Sequence, residues 1–77
     1  MKLVQILGTG CSKCEKLKSH AEQAIQELGV AAEVQKVTDI VKITEFGVMM
    51  TPALVVDGEV KVVGKVASAE EIKTFLQ

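Results

Sequence analysis

Residues 2–29 read KLVQILGTGCSKCEKLKSHAEQAIQELG, and the architecture turns on this stretch. Leu3, Val4, Ile6 and Leu7 form a near-continuous apolar run. Such a run predicts a central strand over Lys2–Leu7, buried on both faces, because a strand covered on one face would alternate apolar with polar. Gly8-Thr9-Gly10 breaks it and allows a tight turn. A helix is predicted from about Ser12 to Leu28. Leu17, Ala21, Ala24, Ile25 and Leu28 recur at helical spacing, Glu15, Lys16, Ser19, Gln23 and Gln26 fall on the other side, and Gly29 stands where helices end.

The same stretch holds both cysteines of the chain, Cys11 and Cys14, with only Ser12 and Lys13 between them. A bridge that closes so small a loop stabilises little, since the gain grows with loop size. The pair is therefore chemical, for redox exchange or metal binding. On the helical wheel Cys14 joins the apolar stripe, whereas Cys11 lies before or at the first turn and off it. One sulfur is expected to face the core and the other to be accessible.

Downstream, Ala32–Val37 is a second strand, with Ala32 and Val34 on one face and Glu33 and Gln35 on the other. Thr38 or Asp39 caps a short helix carrying Ile40, Val41 and Ile43, which ends near Gly47. Met49-Met50-Thr51-Pro52 leads into a third strand, Ala53–Val56. Asp57-Gly58 is a two-residue hairpin signal, and the fourth strand is Glu59–Val63. Ser68, with Glu71 three residues on, is a capping box for a last helix whose buried face is Ile72, Phe75 and Leu76; Ala67 and Ile72 are placed to form its hydrophobic staple. The order β-α-β-α-β-β-α describes an α/β chain. Its first half is a right-handed parallel βαβ unit and its second an antiparallel hairpin followed by a helix.

The 77 residues are expected to form one domain, 1–77, near the size at which a single core is barely sufficient. Aromatics are 3% of the chain, so Val, Ile, Leu, Ala and Met build the core. The net charge is −1, which supplies no field toward nucleic acid or an anionic membrane, and base-stacking aromatics are scarce. No apolar run approaches the length that spans a bilayer, and Met1–Leu7 lacks the marks of a signal peptide. A cytoplasmic monomer is expected, in a compartment that keeps thiols reduced.

The attacking species in disulfide exchange is a thiolate. Unpaired N–H groups and the positive end of the dipole at a helix N-terminus favour that anion, and Cys11 is where the effect is strongest. Lys13 and Lys16 add favourable charge, and Glu15 opposes it. Cys14, one turn later, is placed to attack a mixed disulfide on Cys11, since i, i+3 spacing brings the sulfurs together on the helix. Met49 and Met50 suit either an adaptable substrate surface or core gaps. His20, nearly two turns past Cys14, reads as a surface or boundary residue. Taken by local sequence alone, Pro52 is an ordinary trans proline at a strand start.

Gly8-Thr9-Gly10-Cys11-Ser12-Lys13-Cys14 after a first strand, Thr51-Pro52 opening the third, the Asp57-Gly58 hairpin and the terminal helix together resemble the small thioredoxin/glutaredoxin-like proteins. They are most similar to the short prokaryotic redox-active disulfide proteins, over nearly the whole chain. The resemblance implies strand order 2-1-3-4 in a four-stranded mixed sheet, with the third and fourth strands antiparallel to the first two. It implies a cis bond before Pro52, exposing the backbone of Thr51 so that an extended substrate segment pairs with it as an added strand. The implied activity is thiol–disulfide exchange with protein disulfides. Cys11 attacks and Cys14 resolves, Thr51 and Pro52 shape the substrate groove, and Gly10, Ser12 and Lys13 tune access and thiolate stability. Electrons come from a reductase not identified by the sequence, and no cofactor or metal is needed beyond the dithiol. Three positions depart from the family pattern. Gly10 replaces the Trp of thioredoxins, Ser12-Lys13 replaces Gly-Pro or Pro-Tyr, and Gln5 stands where thioredoxins carry a buried Asp.

Two rival readings use the same residues. Small copper-chaperone domains also carry C-x-x-C after a first strand and hold a soft ion with two thiolates. They follow β-α-β-β-α-β, however, give Thr51-Pro52 no role, and carry a Met where Thr9 stands here. A binding module on the same scaffold, with the dithiol sensing redox state, is the other; turnover with a reductase and a disulfide substrate separates it from an enzyme.

Overall fold

The apolar run at the start of the chain forms strand β1 (Lys2–Leu7), which has a neighbour on each side. A computed structural model describes residues 2–8 and 12–77. It places helix α1 at Ser12–Leu28, β2 at Ala32–Val37, α2 at Ile40–Glu45, β3 at Ala53–Val56, β4 at Glu59–Val63 and α3 at Ala69–Leu76. The sheet order is β2-β1-β3-β4. β1 runs parallel to β2, with Val4 opposite Val34, and antiparallel to β3, with Ile6 opposite Leu54.

β3 and β4 are antiparallel to each other, so β4 runs in the direction of β1. This corrects the expectation that both late strands oppose the first two. The reason is the Asp57-Gly58 turn, in which both residues take left-handed conformations, with φ of 51° and 82°. That pairing reverses the chain within two residues and matches strand twist. Asp57 also ties the hairpin to β1. Its carboxylate accepts from the Leu3 N–H at 2.8 Å, and its own N–H donates to the Leu3 carbonyl at 2.8 Å.

Alternation along the strands divides the core between the two sheet faces. On one face Val4, Ile6, Leu54 and Val56 pack with Leu17, Ala21 and Ala24 of α1 and with Ile72 and Leu76 of α3. On the other, Leu7, Ala53 and Val55 pack with Ile43 of α2 and with Val48. β1 and β3 thus serve both cores, which is why their sequences are apolar at nearly every position. Among the described residues no helix is long and apolar enough to cross a membrane.

Local signals account for the helix ends. Asp39, rather than Thr38, caps α2, accepting from the Val41 N–H at 2.9 Å. Ser68 caps α3, accepting from the Glu71 N–H at 3.2 Å. The Glu71 carboxylate meets Lys65 Nζ at 3.2 Å. Ala67 and Ile72, the expected staple, are both fully buried in the same core.

α1 and α3 are also clamped by charge. Lys73 of α3 pairs with Glu27 of α1 and with Glu70, and Gln23 donates to Glu27 at 2.7 Å. The hydrogen bond from Lys73 and then that from Gln23 hold the Glu27 carboxyl below its ordinary value of 4.5. A carboxyl lowered on folding stabilises the native state fully above its unfolded value, and this is lost as pH falls through the folded one. The thermal midpoints of the wild type and Glu27→Gln are therefore expected to differ at neutral pH, the wild type being higher, and to converge as pH falls below 4.5. Both groups are solvent-accessible, so the difference is small and shrinks with salt.

Candidate functional site

The site is assembled where β1 hands over to α1. Gly8 follows β1, is buried, and donates its N–H to the Val37 carbonyl at 3.0 Å, which extends the parallel pairing by one residue. Cys11 and Gly10, with Thr9 and Met1, lie outside the described residues. α1 opens on Ser12 and Lys13, both exposed, and its third residue, Cys14, is 1% exposed. The wheel anticipated this burial, since Cys14, Leu17, Ala21 and Ala24 form the buried line of α1.

Gly8 falls on the α1 side of the sheet by strand alternation, in step with Val4 and Ile6. A Cβ built on Gly8 would overlap Cys14 Sγ, lie 3.2 Å from Cys14 Cβ and 4.0 Å from Thr51 Cβ. Cys14 and Thr51 therefore converge on Gly8, although 37 positions separate them in sequence. The Thr51–Pro52 peptide bond is cis, as the family resemblance implied and against the local reading of Pro52. Thr51 is exposed and Pro52 buried, and the Pro52 carbonyl accepts from the Gly64 N–H at 2.8 Å. Of the residues expected in the site, the fold brings Cys14 and Thr51-Pro52 together, with Ser12 and Lys13 at the adjoining helix start.

The electrostatics hold a residue that sequence reading passed over. Lys36 near the end of β2 pairs with Glu15, the neighbour of Cys14. Strand alternation puts Lys36 on the α1 face with Ala32 and Val34, and this was the signal available to find it. The Glu15 carboxyl is held below its ordinary value by the hydrogen bond from Lys36 and then by the Lys36 charge. The Lys36 ammonium is held above its own, first by the bond to Glu15, then by the Glu15 charge, and in smaller measure by the charge of Cys14. The acid expected to oppose the thiolate is thus matched by a cation within electrostatic reach of Cys14.

The remaining candidates sort by position. Gln5 is half-buried and lines a polar groove with Gln35, Thr38, Asp39 and Lys42, toward the α2 side of the sheet. Met49 is 94% and Met50 61% exposed, so neither fills a core gap. Met49 and Thr51 border an apolar groove with Ile40, Ile43 and Val48, and Met50 covers Gly64. His20 is half-buried, and its Nδ1 lies 2.9 Å from the Ala67 carbonyl, joining α1 to the segment before α3. That is the boundary role expected of it. The chain enters α3 after β4, an order that differs from the β-α-β-β-α-β plan of the copper-binding rival.

Comparison with known proteins agrees with this architecture. A thioredoxin domain family model matches residues 2–77. A protein named thioredoxin from Methanothermobacter thermautotrophicus is 47% identical over 76 residues, covering 99% of this chain and 99% of that protein. Another of the same name, from Methanocaldococcus jannaschii, is 42% identical over 77 residues, covering 100% of this chain and 88% of that protein.

Proposed function

The chain belongs to the thioredoxin-domain family of thiol–disulfide oxidoreductases, and on that premise we propose that it exchanges disulfides with protein substrates through Cys11 and Cys14. The observation that carries this reading is the convergence of buried Cys14, at the start of α1, with Thr51 beside the cis Thr51–Pro52 bond.

In the proposed reaction the Cys11 thiolate attacks one sulfur of a substrate disulfide. A Cys11–substrate bond forms, and the other substrate sulfur leaves with the electron pair and takes up a proton. The Cys14 thiolate then attacks Cys11 Sγ, the Cys11–Cys14 bond forms, and the second substrate thiol departs. The substrate gains two electrons and the protein loses two. The helix N-terminus favours the attacking anion, and Ser12, Lys13 and Gly10 tune access to it. The backbone at Thr51, with Pro52, receives an extended substrate segment as an added strand. The dithiol is the whole redox group, and a reductase returns it to the reduced form. We place the reaction in the cytoplasm, with the chain acting as a monomer.

Redox titration of metal-free protein in defined dithiol/disulfide buffers tests the proposal, with alkylation and mass spectrometry reporting the state of the pair. One reversible two-electron transition between dithiol and Cys11–Cys14 disulfide is expected. Absence of an intramolecular disulfide at any poise would remove the exchange reading and turn attention to Cu(I) and Zn(II) affinity.

A further inference from the structure

We propose that Gly8 is a positioning residue for Cys14: the place a side chain would occupy at the end of β1 is the seat of the Cys14 sulfur, and this seat sets how fast Cys14 resolves a mixed disulfide. The inference rests on the exchange reading above.

Three observations converge on the seat. A Cβ on Gly8 would overlap Cys14 Sγ, and would stand 3.2 Å from Cys14 Cβ, closer than carbon atoms pack without displacement. The backbone of both partners is held in place, one by its strand pairing and the other by its helix. Gly8 is buried and held by its N–H bond to the Val37 carbonyl at 3.0 Å. Cys14 is 1% exposed, on a helix whose next buried residue, Leu17, is 0% exposed in the main core. The third wall is Thr51, whose Cβ lies 4.0 Å from the same point. A residue other than glycine at position 8 must push the sulfur into another rotamer or lift the first turn of α1 from the sheet. Either change moves the resolving atom.

The consequence falls on one half of the reaction. The first attack uses Cys11 and does not involve the seated sulfur. The second requires Cys14 Sγ to approach Cys11 Sγ in line with the bond that breaks. A displacement of about 1 Å at a reacting atom costs on the order of 100-fold in rate.

Stopped-flow reaction with an aromatic disulfide, 5,5′-dithiobis(2-nitrobenzoate), separates the two steps. The Cys11 thiolate displaces one coloured aryl thiolate and leaves an aryl mixed disulfide. The Cys14 thiolate, its proton passed to water, forms the Cys11–Cys14 bond and displaces the second. In Gly8→Ala the first equivalent is expected at close to the wild-type rate, and the second on the order of 10- to 100-fold more slowly. A second equivalent released at the wild-type rate by folded Gly8→Ala overturns the proposal.

A stability cycle keeps the question open to test if Gly8→Ala folds poorly. Gly8→Ala is introduced into the wild type and into Cys14→Ala, and urea midpoints are compared. A larger loss when the sulfur is present supports the seat; equal losses in the two backgrounds overturn it. Failure of the exchange reading itself would be seen in the wild type, whereas failure of this inference is seen only in the difference made by Gly8→Ala.

Discussion

Cys14→Ser is expected to accumulate a covalent complex with disulfide substrates through Cys11, while Cys11→Ser accumulates none. Both variants lose turnover, on the order of a thousandfold or more, as removal of a covalent nucleophile does. The difference between them comes from access. Cys14 is 1% exposed, held in α1 against Gly8 and close to Thr51, and a protein disulfide has no path to its sulfur. It meets only a sulfur delivered beside it, which is the situation of a resolving thiol. With serine at position 14 the mixed disulfide on Cys11 has no internal thiolate to release it, since a hydroxyl is far too weakly ionised at neutral pH to cleave a sulfur–sulfur bond. The complex then survives non-reducing electrophoresis and is lost on adding dithiothreitol. Trapping in the reverse pattern, through Cys14 in Cys11→Ser, would exchange the two roles.

Leu54→Ala is expected to remove a large part of the folding free energy. Leu54 is 0% exposed, on β3, which lies between β1 and β4, and it shares its core with Leu17, Val62 and Ile72. Truncating such a residue costs about 2–5 kcal/mol, from lost burial together with the cavity left behind. Native domains hold only about 5–15 kcal/mol in total, and one of this length sits toward the lower end. With a urea m-value of about 1 kcal/mol per M, the unfolding midpoint falls by roughly 2–5 M at unchanged m. Val63→Ala on β4, where the residue is 47% exposed, is the control and stays within about 0.5 kcal/mol of the wild type. A Leu54→Ala midpoint equal to that of the control would mean that β3 repacks without loss.

Much of this molecule is decided within short windows of chain. α1 was legible because Leu17, Ala21 and Ala24 repeat at the period of the helix, and the same period places Cys14 inward. The Asp57-Gly58 turn and the Ser68 cap were legible because each is a contact between residues at most three apart. The double-sided burial of β1 followed from the lack of alternation in Leu3-Val4-Gln5-Ile6-Leu7. Cys11 and Cys14 announced a dithiol by being too close in sequence to serve as a staple.

Other features belong to pairs that no window contains. The cis bond at Thr51–Pro52 was available only through resemblance, because local sequence favours trans. The direction of β4 follows from composing two reversals, β1 to β3 and β3 to β4, and the expectation taken from the resemblance, which assigned both late strands together, missed the second. The Lys36–Glu15 pair spans 21 positions and the Asp57 carboxylate reaches the Leu3 N–H across 54. Gly8 read as a strand breaker, and only the packing of α1 on the sheet gave its missing side chain a use. Periodicity and capping are properties of the chain with itself over one or two turns, so composition and order determine them directly. Which sulfur rests on which glycine, and which cation faces which acid, depends on how the elements dock, and that is decided by the joint burial of Val4, Ile6, Leu17, Leu54 and Ile72 in one core.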